Sequence, residues 1–315
     1  MGQLRYKVRN WSSYNAALVQ RGSLTMWLPE DLQDTWLAEG AKRCGRPTVY
    51  GETALEICHL IRALLRLPYR QTQGFVQSLM KLMSLDLPVP SFSHICKYGS
   101  TMKIPALPAS SAQEIAIDAT GIKVSGEGEW KVRAHGPSKR RRWKKVHFSV
   151  DVATHEIVAT DLTPSNIHDS QRFESLLTPG CRTIFADGAY DDSRRCHTEA
   201  QERGARAIIP PRRDAVLGKK RRDQETPRDE LILIRDLMED DWSKSLHYGR
   251  RNHVEGAFSR YKRIFTSRFQ SICERRQLAE LATKVSILNR FTRIGMPDSV
   301  PVNCPQIKSM ATGLF

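Results

Sequence analysis

The hydrophobic residues in the first third of the chain recur at helical spacing. Between residues 52 and 65 they lie three or four positions apart, and Pro68 ends that run. A second helix is predicted over residues 71–83. Pro88 and Pro90 then interrupt the chain, and Ser91 is a suitable N-cap for a third helix. Three short helices are therefore expected in succession.

These helices divide the front of the chain into two predicted parts. Residues 1–45 are expected to be an amino-terminal arm with one short helix over residues 12–20, stopped by Gly22. Residues 46–104 are expected to form a small all-helical region. Three such helices can build a helix-turn-helix-like DNA-binding unit, but they can also form a bundle with no role in DNA binding.

Beyond a linker at residues 105–110 the pattern changes to alternation with period two, which predicts strands over 114–124, 145–152 and 155–160. Alternating helices and strands then follow, over residues 169–177, 183–186, 191–203 and 205–209. This order predicts an α/β domain over residues 111–295, with a mixed sheet flanked by helices as in ribonuclease-H-like nucleases. A basic insertion is predicted at about 210–228, and a carboxy-terminal tail over 296–315.

The charge of the chain points to a polyanionic partner. Lys and Arg number 49 against 34 Asp and Glu, so the formal net charge is +15, which favours DNA or RNA as the partner. Two basic loops flank the predicted sheet and are expected to contact phosphates, with Trp143 able to stack on a base; the alternative is that they are only solvated faces. Their candidate residues are Arg140, Arg141, Arg142, Trp143, Lys144, Arg212 and Arg213.

The cysteines and the apolar stretches favour a cytoplasmic protein. The seven cysteines form no CxxC pair, which argues against a disulfide scaffold or a zinc cluster. No run of 18 apolar residues is present, and the first residues lack an apolar signal core, so no membrane partner is expected.

One predicted helix carries a stripe of candidate functional side chains, namely Tyr248, Arg251, Glu255 and Lys262. At 100° per residue these positions fall within an arc of about 60°, so they project from one face. The neighbouring face is apolar and suited to pack on a sheet. A carboxylate between two cations can bind a metal while its neighbours hold phosphate oxygens. The alternative is a surface ladder of ion pairs.

Two aspartates in the predicted strands offer further carboxylates. Asp118 lies on the opposite strand face from Ile115 and Ile117, and Asp187 ends a short apolar strand. Carboxylates are costly to bury without a partner, and Mg²⁺ suits a site of a few carboxylates. Either residue can instead be an ordinary strand-end cap. The spacing also leaves Asp151, Asp161 and Asp169 as rivals.

At these residues the chain resembles a known family. The pattern Tyr248-x2-Arg251-x3-Glu255-x6-Lys262 is similar to the Y-x2-R-x3-E-x6-K signature of bacterial insertion-sequence transposases with a DDE catalytic domain. Residues 117–136, 186–191 and 247–263 resemble the three catalytic regions of the insertion sequence five family in the broad sense. Residues 10–27 and 66–93 resemble the same family. The segment SHICKYGS lacks the Ser-Thr-Leu-Ser run expected there.

The resemblance implies a ribonuclease-H-like fold with Asp118, Asp187 and Glu255 as catalytic metal ligands. They would hold two Mg²⁺ ions, with Mn²⁺ able to substitute, while Tyr248, Arg251 and Lys262 contact DNA. The implied enzyme binds the terminal inverted repeats of its own element, cleaves the DNA ends and joins the 3′ ends to target DNA. It would act in the bacterial cytoplasm at the nucleoid.

The same resemblance implies an assembly, because two DNA ends must be joined together. A homodimer or larger synaptic complex on double-stranded DNA is expected. Two alternatives remain at this point: a ribonuclease-H-like nuclease without strand transfer, and a non-catalytic DNA-binding regulator.

Overall fold

The computed structural model describes residues 5–38, 49–102, 107, 112–124, 143–217, 226–238 and 241–302. The helices in these ranges are α1 (Trp11–Gln20), α2 (Leu32–Trp36), α3 (Glu52–Leu65), α4 (Tyr69–Leu82), α5 (Phe92–Tyr98), α6 (Thr198–Glu202), α7 (Pro227–Met238), α8 (Trp242–Ser245), α9 (Asn252–Phe265) and α10 (Glu274–Ile294). The strands are β1 (Arg5–Val8), β2 (Glu114–Val124), β3 (Trp143–Asp151), β4 (Ile157–Pro164), β5 (Thr183–Phe185), β6 (Arg206–Ile208), β7 (Arg268–Phe269) and β8 (Ser299–Val302). Within the described ranges, no helix has both the length and the apolar character needed to span a bilayer.

The central sheet has the strand order β4-β3-β2-β5-β6, with β7 paired to the far end of β2. The first three strands run antiparallel as a meander, whereas β5 and β6 run parallel to β2. The predicted mixed sheet flanked by helices is confirmed, and its strand order and directions are those of a ribonuclease-H-like fold.

The two faces of this sheet bury separate cores because side chains alternate along each strand. Ile115 and Ile117 of β2 face one core, together with Phe173 and Tyr190. The other face packs against α9 and α10. There Phe148 of β3 stacks on the α9 side chain of Phe258, with ring centroids 4.5 Å apart. The apolar face predicted for this helix is buried as expected, through Val254, Ala257, Phe258 and Tyr261.

The front helices form the third core of the described residues. Helices α3, α4 and α5 contribute its residues, and Leu32 and Trp36 of α2 complete it. All three predicted helices are present, with bounds shifted by a few residues. The side chain of Ser91 accepts a hydrogen bond from the His94 N–H at 3.4 Å, the N-cap role that the sequence predicts.

Several elements differ from the sequence pattern. Strand β4 begins at Ile157 rather than at residue 155, because a turn follows Asp151 and leaves His155 at φ 60°. The predicted helix over 169–177 is two 3₁₀ turns, Asp169–Arg172 and Glu174–Leu176. The helix expected over 191–203 is a π-helical turn, Ser193–His197, that continues into α6.

The two ends of the described chain are joined. Strand β1 in the predicted arm pairs antiparallel with β8 in the predicted tail, so that Arg5 lies opposite Val302. Arg9 also forms an ion pair with Asp298 at 2.5 Å. A strand of four residues is too short for its alternation of polar and apolar side chains to be recognised in the sequence. Pairing between strands near opposite ends of the chain also leaves no local sequence pattern.

A buried histidine in the front core gives a pH prediction. The His59 Nε2 lies 2.9 Å from the Ile95 carbonyl oxygen, and burial lowers the pKa of His59 to about 4. The unfolded chain takes up this proton near its ordinary pKa of 6.5, whereas the folded chain does so only near 4. Stability is therefore lost as the pH falls through this window.

We expect His59 to account for about 2–3 kcal/mol of the stability that the protein loses between pH 7 and about pH 4.5. Urea unfolding of the wild type and of His59→Gln at both pH values measures this loss. The variant starts less stable, but its free energy of unfolding should fall less on acidification. An equal fall in both proteins would contradict the assignment.

Candidate active site

Asp118 lies in the middle of β2, on the face that packs against α9. It pairs across the sheet with Phe148 of β3, whose ring belongs to the same core. The Oδ1 atom of Asp118 accepts a hydrogen bond from the Ala119 N–H at 2.7 Å. The other carboxylate oxygen, Oδ2, lies toward Arg251 in the turn before α9.

Asp187 follows β5, the parallel neighbour of β2. Ala116 pairs with Phe185 in this register, so continuing both chains by two residues brings Asp187 beside Asp118. Asp187 is the N-cap of a 3₁₀ turn, Gly188–Tyr190, and its side chain accepts a hydrogen bond from the Ala189 N–H at 3.0 Å. The fully buried Tyr190 anchors that turn.

Glu255 lies in the first turn of α9. The predicted stripe differs in one respect, because Tyr248–Arg251 is a 3₁₀ turn before α9 rather than part of it. Three of the four side chains nevertheless contact β2 or the residue after β5, and Glu255 pairs with Arg251. The Tyr248 hydroxyl donates to the Ala186 carbonyl oxygen at 3.3 Å, and the Lys262 ammonium donates to the Thr120 hydroxyl at 2.6 Å.

The Arg251 guanidinium connects two of the three carboxylates. It lies 3.5 Å from the Oδ2 atom of Asp118 and also pairs with the Glu255 carboxylate. The side chain of Glu255 is half exposed, whereas that of Arg251 is mostly covered. The ion pair between Arg251 and Glu255, which the sequence analysis left open as an alternative, is therefore present. It lies beside Asp118 rather than on a separate surface.

Burial and neighbouring carboxylates disfavour the charged forms of Asp118 and Asp187. Burial raises the pKa of Asp118 to about 6, and the negative charges of Asp187 and Glu255 add to that rise while Arg251 opposes it. Burial likewise raises the pKa of Asp187, again with a contribution from Glu255. The single guanidinium of Arg251 carries too little positive charge to balance three ionised carboxylates.

Carboxylate oxygens are the donors that Mg²⁺ and Mn²⁺ prefer, so the chemistry of this set fits a divalent cation. Among the residues that the structure describes, however, no three Asp, Glu, His or Cys side chains are arranged to hold a metal ion as they stand. In this site the Arg251 guanidinium lies between Asp118 and Glu255. The two carboxylates can share a cation only when that guanidinium moves aside.

The three rival aspartates have other contacts. Asp151 accepts hydrogen bonds from the Ala153 N–H and the Thr154 hydroxyl in the turn after β3. Asp161 lies on the sheet face opposite Asp118, 3.5 Å from Arg172. Asp169 pairs with Lys145 at 2.9 Å, and its charge contributes to the raised pKa of Asp187.

The basic residues of the first predicted loop are placed only in part. Arg140, Arg141 and Arg142 lie outside the described residues. Trp143 and Lys144 begin β3 rather than ending a loop. The Trp143 side chain is exposed, and the Lys123 ammonium lies 5.3 Å from its ring centroid. The Lys144 ammonium pairs with Glu274.

Arg212 and Arg213, in the second basic loop, are both exposed. The Arg212 backbone N–H donates to the carboxylate of Asp191 at 3.1 Å, and Asp191 lies four residues after Asp187 in the sequence. Asp191 also pairs with Arg228 at 2.7 Å, so this loop is tied to the turn that carries Asp187. Residues 218–225 of the insertion lie outside the described residues.

The sequence analysis missed three features around the carboxylates. Thr120 is the acceptor for Lys262, Lys145 pairs with Asp169, and the Tyr190 hydroxyl is buried without a hydrogen-bond partner near Asp118 and Asp187. The position of Thr120 beside the site could have been predicted, because strand alternation puts it on the same face of β2 as Asp118. The other two depend on how the 3₁₀ turns pack.

Comparison with known proteins identifies two matching ranges. A family model described as "Transposase DDE domain" matches residues 109–290, and a second model with the same description matches residues 19–127. The chain is also similar to a solved structure of the piggyBac transposase synaptic complex with hairpin DNA, with a TM-score of 0.39 and 10% sequence identity. That match covers 92% of this chain and 77% of the other. All three carboxylates fall within residues 109–290.

Proposed function

We propose that this chain cleaves and joins DNA at the ends of its own insertion sequence. The chain belongs to the family of transposases with a DDE domain, because one family match alone extends over more than half of its residues. Enzymes of this family act on DNA and depend on divalent metal ions. The narrower resemblance to the insertion sequence five family remains part of the proposal.

We propose that Asp118, Asp187 and Glu255 are the catalytic carboxylates. The observation that supports this assignment is the shared Arg251 guanidinium, which contacts Asp118 and Glu255 while Asp187 raises the pKa of Asp118. Carboxylates from three separate segments thus influence one another directly. Bound by this set, divalent cations such as Mg²⁺ or Mn²⁺, two per site, would activate the attacking oxygen and stabilise the departing one.

The remaining stripe residues position the DNA in this proposal. Arg251 and Lys262 hold phosphate oxygens beside the scissile bond, and the Tyr248 hydroxyl can turn from the Ala186 carbonyl to the same strand. When a DNA phosphate attracts the Arg251 guanidinium, Glu255 loses its partner. Because Glu255 is half exposed, its side chain is free to turn toward Asp118.

The reaction consists of two phosphoryl transfers at this one site. Hydrolysis breaks a phosphodiester bond at the element end, and the departing oxygen takes a proton to become a free 3′-hydroxyl. That hydroxyl then gives up its proton and attacks a phosphodiester of target DNA. The new P–O bond joins the two strands, while the old P–O bond of the target breaks and its oxygen leaves, protonated, as the free 3′-hydroxyl of the target strand. The chain contributes alignment and charge stabilisation, and no protein side chain is bonded to the DNA.

We also propose that residues 1–104 recognise the terminal inverted repeats and that two or more copies hold two DNA ends together. The basic excess of the chain supports DNA binding, and phosphate contacts should make the affinity fall steeply with salt. The exposed positions of Trp143, Arg212 and Arg213 are compatible with contacts to the same DNA.

A strand-transfer assay tests the proposed function. Purified protein is incubated with labelled, precleaved terminal DNA, a target plasmid and Mg²⁺ or Mn²⁺, and joined products are resolved on a gel. We expect end-labelled DNA to become joined to the plasmid. Cleavage of uncut ends without any joining would instead identify a nuclease. Sequence-specific binding without cleavage or joining would identify a regulator.

A further inference from the structure

A pocket of about 890 Å³ lies away from the three carboxylates, where the front helices meet the segment that leads into α10. Helices α3, α4 and α5 supply most of its wall. The cationic and aromatic residues that line it are Arg62, Tyr69, Arg70, Phe92, Lys97 and Arg276. Four of the lining side chains are cationic, two are aromatic and none is acidic.

Arg62 is the buried cation of this pocket. Only 5% of the residue is exposed, and its Nε atom is buried without a hydrogen-bond partner. The guanidinium lies 4.2 Å from the ring centroid of Tyr69, which orients its plane. A buried guanidinium nitrogen without an acceptor is costly, so an acceptor atom from a ligand would be favourable here.

The open side of the pocket repeats the same pairing of a cation with a ring. The Arg70 guanidinium lies 4.4 Å from the ring centroid of Phe92. Both residues are exposed, as is Lys97 in the last turn of α5. The pocket also borders the first turn of the 14-residue helix α4, whose backbone N–H groups favour an anion.

The walls are fixed before any ligand binds. The Phe92 N–H donates to the Gln73 side chain at 2.7 Å, which sets α5 against α4. On the opposite wall Arg276 donates to the Ser100 hydroxyl at 2.7 Å, and Gln270 donates to the Arg66 carbonyl at 3.1 Å. A rigid pocket loses little conformational entropy when it is filled.

We propose that this pocket binds one unpaired nucleotide of the DNA, with its phosphate between Arg62 and Arg70 and its base against Phe92. This inference rests on the proposed function, because it takes DNA as the partner. Cations alternating with aromatic rings are what single-stranded nucleic acid requires, since phosphates pair with the cations and bases stack on the rings. The site is separate from the carboxylates and would hold the strand during the reaction.

Fluorescence anisotropy tests the phosphate contact. A short labelled duplex with a single-stranded thymidine overhang is titrated with Arg70→Gln and, as a matched control, with Arg203→Gln, which removes an exposed arginine outside residues 1–104. We expect Arg70→Gln to weaken binding about tenfold and to reduce the salt slope by about one, while Arg203→Gln binds like the wild type. A blunt duplex should lose this difference. Equal behaviour of both variants on the overhang would overturn the proposal.

Photocrosslinking tests the base contact. Iododeoxyuridine in the overhang reacts with aromatic side chains on irradiation, and mass spectrometry then locates the crosslinked peptide. We expect the crosslink at Phe92 or Tyr69 and its loss from Phe92 in Phe92→Leu. Crosslinks confined to other peptides would contradict the site. Both readouts are independent of cleavage, so a failure of the pocket and a failure of the transposase proposal give different results.

Discussion

Replacement of Asp118 by asparagine is expected to lower the rate of DNA-end cleavage by roughly 10³-fold or more, about 4 kcal/mol in activation free energy. Asparagine keeps the shape of the side chain and its acceptor for the Ala119 N–H. It removes the charge through which the proposed site binds a divalent cation. Rates of nicking of labelled terminal DNA in Mg²⁺ and Mn²⁺ measure the effect.

The same substitution should not weaken the fold. Burial raises the pKa of Asp118 from 3.8 to about 6, so at neutral pH its ionised form costs stability rather than adding to it. Without divalent cations we therefore expect the Asn variant to be up to about 3 kcal/mol more stable than the wild type in urea unfolding. A residue that opposes folding and supports activity is typical of a catalytic position.

Asp161→Asn is the matched control for this prediction. Asp161 lies on the opposite face of the same sheet, where it contacts Arg172 and Ser175. Its replacement should leave the cleavage rate within about twofold of the wild type, because a surface ion pair contributes little. Asp118→Asn protein that is folded, binds DNA and cleaves at the wild-type rate would remove Asp118 from the catalytic set.

The sheet was predictable because its signal is local. Alternation in β2 and β3 marks both strands and also decides which face each side chain takes, so Asp118 could be placed opposite Ile115 and Ile117 from the sequence. The 21-residue helix α10 went unpredicted, because charged residues such as Glu280 and Lys284 interrupt its apolar stripe. Both are buried, although their polarity alone would not mark them as core positions.

The candidate site was predictable in its composition but not in its arrangement. Helical spacing indicated that Tyr248, Arg251, Glu255 and Lys262 share a face, and the structure keeps that face although the first two lie in a 3₁₀ turn. Spacing within one segment carries no information about distance to another segment. The contact of Arg251 with Asp118, 133 residues away in sequence, therefore appears only after folding.

The buried pair of Glu280 and Lys284 gives the largest expected effect on stability. Both side chains are almost fully buried, and their charged atoms lie 2.6 Å apart. Although burial opposes the charged form of Glu280, Lys284 and backbone N–H groups hold its pKa below the usual value, while burial lowers the pKa of Lys284. The Glu280 carboxylate accepts the N–H groups of Gln270 and Ser271 at 3.0 and 2.9 Å.

Glu280→Ala should lower the free energy of unfolding by about 3–5 kcal/mol, because it leaves the Lys284 ammonium buried without its partner. The loss also removes the acceptor for one buried and one part-buried backbone N–H group. Urea unfolding followed by circular dichroism at neutral pH measures the change. A partial recovery is expected in the double variant Glu280→Gln with Lys284→Met, since the single glutamine oxygen still accepts from one of the two backbone N–H groups and methionine carries no charge.

Glu274→Ala is the matched control, because Glu274 begins the same helix and also pairs with a lysine, Lys144, but is 67% exposed. Its removal should cost at most about 1 kcal/mol. Similar losses for the two alanine variants would show that burial does not set the strength of these ion pairs. The Gln270 segment lines the nucleotide pocket, so Glu280→Ala should also weaken binding to overhang DNA, whereas Glu274→Ala should not.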